Sequence, residues 1–114
     1  MRTRSRDVRF EVLDDRLVRT VRLADGREYV HRCTRRVYEE VARAIEEAGP
    51  AGVTLFPLAE AIDAPYTQVN VAFEFLKERG CVVTRLRRSY PASTFLFEDA
   101  MIEYLALAEG ATTD

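Results

Sequence analysis

His31 and Cys33 stand two residues apart, so on a strand both side chains point to one face. With Cys81 they offer three donors of the kind that hold zinc. The set stops there. A structural zinc site needs a fourth ligand, and cysteine ligands usually arrive as Cys-x-x-Cys, which this chain lacks. Cys33 and Cys81 are therefore expected to be small buried hydrophobes, and no metal or cofactor is expected. Catalysis finds little support either. The single His has no Ser or Cys nucleophile motif beside it, and no Gly-rich loop is present to cradle a phosphate. The acid pairs Glu39/Glu40, Glu46/Glu47 and Glu98/Asp99 fall where solvated helix faces or caps belong. An enzyme is not expected.

Arginine is the residue type with chemistry to offer. Residues 1–36 hold eleven Arg against six acids, a balance of +5, whereas the remainder carries −7 and the whole chain −2. Such asymmetry points to an anionic partner for the front end. Sixteen Arg against one Lys is equally what codon usage in the source genome would leave. Arg2, Arg4 and Arg6 lie in a polar, aperiodic segment, 1–7, which reads as a loose arm of the sort that tracks a minor groove. Arg85, Arg87 and Arg88 form a second cluster, with Ser89, Tyr90 and Ser93 as neutral hydrogen-bonding neighbours.

The elements that must position these groups follow from periodicity. The chain has 114 residues, 47% apolar and 32% charged, with only 5 Gly and 4 Pro, which is one globular domain. Its longest apolar run is five residues, 104–108. A membrane span needs about 20. No apolar stretch follows the charged N-terminus, so a cytoplasmic location is the expectation. Runs at 8–13, 17–23 and 28–33 alternate as strands do, which predicts a three-stranded antiparallel meander over 8–33. Asp25-Gly26 is the preferred pair for a two-residue hairpin turn. Thr34 caps a helix running to Ala48, where Val37, Val41, Ala44, Ile45 and Ala48 form one stripe and Gly49 the stop. Further helices are expected at 56–62 and 67–79, then a strand at 81–86, a loop near 89–93, an apolar stretch at 94–97, and a closing helix over 99–109.

Residues 58–69 read Leu-Ala-Glu-Ala-Ile-Asp-Ala-Pro-Tyr-Thr-Gln-Val, and residues 76–83 read Leu-Lys-Glu-Arg-Gly-Cys-Val-Val. With the helix before and the hairpin after, residues 34–98 resemble the winged helix-turn-helix superfamily of bacterial regulators. Leu58, Ala59 and Ile62 would pack inward against Val69, Ala72, Phe73 and Leu76. Asp63 stands where that superfamily usually has Gly, and Asp tolerates the left-handed region. The expected fold is thus α+β: an N-terminal meander, a winged helix-turn-helix core and a C-terminal helix. The resemblance implies double-stranded DNA binding in transcription regulation. Thr67, Gln68 and Asn70 would read bases, since amides pair bidentately with adenine, while Arg85, Arg87, Arg88 and Tyr90 would lie on the backbone.

Two features pull the other way. Among the outward positions of the third helix, Glu74 and Glu78 would meet phosphate with the wrong sign, and Val71 and Phe75 are apolar. With Phe56 these last two form a patch that needs covering, by a protein partner or by the N-terminal sheet. The alternative function is therefore a winged-helix protein-interaction module without DNA binding. The closing helix is apolar nearly all round. Met101, Leu105 and Ala108 are expected to face the core while Ala100, Tyr104 and Leu107 join a homodimer, the alternative being that the N-terminal sheet of the same chain covers that second face.

Overall fold

Alternating apolar and charged residues make the first third of the chain into strands. A computed structural model describes residues 6–113. Strands β1 (Arg6–Leu13), β2 (Arg16–Leu23) and β3 (Glu28–Thr34) form an antiparallel sheet in the order β1-β2-β3. Its register sets Val12, Leu17 and Cys33 in one row of the inner face and Phe10, Arg19 and His31 in the next. The β1–β2 connection is the tight two-residue turn, with Asp14 and Asp15 both at positive φ. The turn expected at Asp25-Gly26 is looser. The Leu23 N–H bonds the Arg27 carbonyl at 2.8 Å around a three-residue loop, and Gly26 alone there takes positive φ. An ordinary turn closed by a left-handed Gly gives that geometry.

Helix α1 (Arg35–Ala48) begins as expected, with the Thr34 hydroxyl accepting from the Val37 N–H at 3.2 Å. After a short 3-10 turn, Val53 exchanges two 2.8 Å backbone hydrogen bonds with Ser89. Helices α2 (Leu55–Ala61) and α3 (Tyr66–Glu78) follow, and Asp63 between them takes φ 55°. Strands β4 (Val82–Arg85) and β5 (Arg88–Pro91) make a hairpin, and α4 (Leu96–Thr113) closes the chain. Residues 89–91, part of the loop expected near 89–93, thus belong to the hairpin's second strand. Helix α4 starts earlier than expected because its first turn is capped from outside. Ser93 Oγ accepts from the Phe95 N–H at 3.0 Å, and Glu46 accepts from the Phe97 N–H at 2.8 Å.

The result is an α+β domain with a three-stranded sheet, a second small sheet and four helices. Its core lies where α1, α3, α4 and the inner sheet face meet. Phe75 sits at the centre, its ring 5.3 Å edge-on from Phe10 and 6.0 Å from Tyr38. Tyr38 donates its hydroxyl to the Ala100 carbonyl at 2.6 Å. The expected dimer face of α4 is corrected by this packing. Ala100 and Tyr104 are fully buried in their own molecule and Leu107 is half-buried, while Leu105, expected inward, is 45% exposed. The reason is a tertiary contact: the Tyr104 ring lies tilted against Tyr38, centroids 5.0 Å apart, and its hydroxyl donates to Asp15 at 3.0 Å in the β1–β2 turn. No helix among the described residues is long and apolar enough to cross a membrane.

Candidate functional site

Helix α3 packs on two sides. Val69, Ala72 and Leu76 enter the core on one side, and Gln68, Val71 and Phe75, at spacings of three and four, lie on the side towards the sheet, with Val71 and Phe75 in the same core. Gln68 Oε1 accepts from the Thr34 N–H at 3.0 Å, so its amide carbonyl is already engaged. Val71 and Phe75 are fully buried, which corrects the apolar patch expected there: the N-terminal sheet is what covers it. Phe56 alone of that trio stays out, 67% exposed and stacked on Tyr66 with ring centroids 4.4 Å apart. Thr67 is exposed and Asn70 half-buried.

Glu74 is likewise committed. Arg19, whose side chain is 8% exposed, donates from Nη1 to Glu74 Oε1 at 2.6 Å. Its Nη2 lies 3.0 Å from His31 Nδ1. Guanidinium can only donate, so Nδ1 accepts and the proton of the neutral imidazole sits on Nε2. Arg19 Nε is buried without a partner among the described residues. This cluster was missed from sequence, yet a signal existed. Arg19 alternates with Leu17 and Val21, which places a cation on the apolar face and demands a buried counter-charge.

The hairpin is the other candidate surface. Arg85, Arg87 and Arg88 are exposed, and none of them pairs with a carboxylate among the described residues. The Arg85 guanidinium lies 4.7 Å from the Tyr90 ring centroid, and Arg88 Nη1 donates to the Ala51 carbonyl at 3.2 Å. That last contact requires Gly52. A Cβ there would come within 2.7 Å of Arg88 Cγ and 2.8 Å of the Tyr90 ring. Of the expected arm, Arg2 and Arg4 lie outside the described residues, and Arg6 already belongs to β1.

His31 and Cys33 do share the inner sheet face. Burial pushes the Cys33 thiol up to about 12, and it donates to the Thr34 carbonyl at 3.4 Å. Cys81 is pushed up too, by burial first and then by Glu103 and Asp99. In the fold as it stands, burial thus favours the neutral thiol at both positions. Among the described residues no group of three or more His, Cys, Asp or Glu could hold a metal ion. A concavity of about 470 Å³ opens beside Glu46, Arg85, Tyr90 and Ser93. The one acid in its lining is spent on structure: Glu46 caps α4, accepting from the Phe97 N–H.

Fold and surfaces together define an α+β domain whose third helix is covered on one side by its own sheet and whose hairpin arginines are exposed. In comparisons with protein-family models, curated proteins and solved structures, the chain matches none.

Proposed function

We propose that this chain is a winged-helix domain that works through protein contact rather than by reading bases. The order of elements supports the first half. A helix, a bridging strand residue at Val53, two helices joined through left-handed Asp63, and a hairpin follow one another as in a winged helix. One observation carries the second half: the sheet-facing side of α3 is used up inside the molecule. Gln68 is bonded to Thr34, Glu74 to Arg19, and Val71 and Phe75 are fully buried. A helix that must enter a major groove keeps such positions free for base edges. Glu78, exposed one turn beyond Glu74, adds a charge that phosphate repels.

The hairpin favours a second reading, contact with the DNA backbone alone. Three exposed arginines without carboxylate partners are suited to phosphate. Selection from fragmented genomic DNA at low salt tests both. The proposed function predicts that no sequence is enriched and that Asn70→Ala changes nothing. Enrichment of a defined sequence, weakened by Asn70→Ala, overturns it. Sequence-independent binding would establish the second reading if its salt slope flattens by about 0.9 for each hairpin Arg changed to Ala.

A further inference from the structure

Two exposed surfaces of this molecule differ in charge and share an apolar centre. The β4–β5 turn consists of Leu86 and Arg87, at φ 51° and 70°. Such a turn favours Asn-Gly, because both central residues must be left-handed. Leu and Arg are strained there, and strain of this kind persists where a side chain is wanted for something other than folding. Leu86 is 98% exposed, so it contributes nothing to its own core. Arg85, Arg87 and Arg88 flank it in the hairpin and are all exposed, giving the tip one apolar knob among three positive charges.

Helix α4 presents the opposite character. Ile102 and Leu105 are 62% and 45% exposed, side by side on its outer face at a spacing of three. Glu98, one turn before Ile102, is exposed and has no ion-pair partner among the described residues. The helix holds no basic residue; of its acids, Glu103 is paired with Arg79 at 3.3 Å and Asp99 accepts from Ser93, which leaves Glu98 as the charge beside Ile102. Two copies of α4 facing each other across a two-fold axis would bring like charges together. The hairpin tip does not have that fault.

We propose that the Leu86 tip of one molecule docks on the Ile102/Leu105 face of α4 in a second copy, with its arginines beside Glu98. This deepens and rests on the protein-contact reading, and it names the partner as another copy of the same chain. Each molecule carries one tip and one acceptor face, so the contact is head to tail and propagates into chains or closes into rings. Charges of opposite sign set its orientation, and the contact weakens with salt.

Sedimentation equilibrium of the full chain tests it, at roughly 0.1–1 mM protein because one tip buries far less than a standard interface. At about 50 mM salt the average mass should rise with concentration above 13.0 kDa and fall back at about 500 mM. A tip variant, Leu86→Glu with Arg87→Glu, and a face variant, Ile102→Lys with Leu105→Lys, should each be monomeric alone. All four sites are exposed, so melting curves should match the parent. Mixed in equal amounts, the two variants should form a dimer and stop there, because the intact face of the first meets the intact tip of the second. An assembly that neither variant disturbs, or a mixture that stays monomeric, overturns the proposal. A chain that stays monomeric throughout and enriches no DNA sequence removes the second copy alone. A monomer that selects a sequence through Asn70 removes the protein-contact reading with it.

Discussion

Arg19 is the residue on which the sheet and α3 depend most visibly. It is a cation held on an apolar sheet face by Glu74 and His31. Breaking a buried pair from one side leaves a charge without compensation, at about 3–5 kcal/mol. Glu74 is a third exposed, so Glu74→Ala should fall at the lower end, about 3 kcal/mol in chemical denaturation. Removing both partners, Arg19→Met with Glu74→Leu, should cost little or even stabilise, since no charge is left behind. Cys33 makes a second prediction at this scale. Its thiol ordinarily ionises near 9 and in the fold near 12. Between those values the unfolded chain loses a proton that the folded chain keeps, so stability falls as pH rises through the window. Burial raises Tyr38 and Tyr104 as well, in the same sense. Melting temperatures should decline from about pH 9 upward, less steeply in Cys33→Ala; a flat profile to about pH 11 contradicts this.

At the scale of elements, packing decides which face of each helix matters. Phe75→Ala should cost about 3–5 kcal/mol, because the ring links Phe10 on the sheet to Tyr38 on α1. Gly52→Ala should cost about 1–3 kcal/mol, since φ 71° and contacts under 3 Å both oppose a Cβ. A thermal melt checks each. Much of this level was legible in the sequence. The stripe Val37, Val41, Ile45 and the cap Thr34 located α1, and alternation located the three strands to within two residues. Spacing alone left α3 and α4 ambiguous, because both carry apolar residues on more than one side. For α3 the second side faces the sheet through Phe10. For α4, Tyr104 turned inward because Asp15, 89 residues away, accepts its hydroxyl. Neither partner lies within reach of a local pattern.

At the scale of the whole molecule, an N-terminal sheet laid along α3 makes that helix an internal support. The candidate site was legible in part for the same reason. Gln68 and Asn70 have the right chemistry for adenine, but side-chain type does not reveal that Thr34 already occupies Gln68. The hairpin arginines, by contrast, are exposed as their sequence setting suggests, because a two-residue turn at the edge of the fold has nothing to bury them. The most direct measurement is amide and side-chain NMR of the labelled protein as a short DNA duplex is added at low salt. The account predicts that Thr67, Gln68, Asn70 and Glu74 do not shift and that any change is confined to residues 82–91. Shifts centred on Gln68 and Asn70, with loss of the Arg19–Glu74 contact, would contradict it.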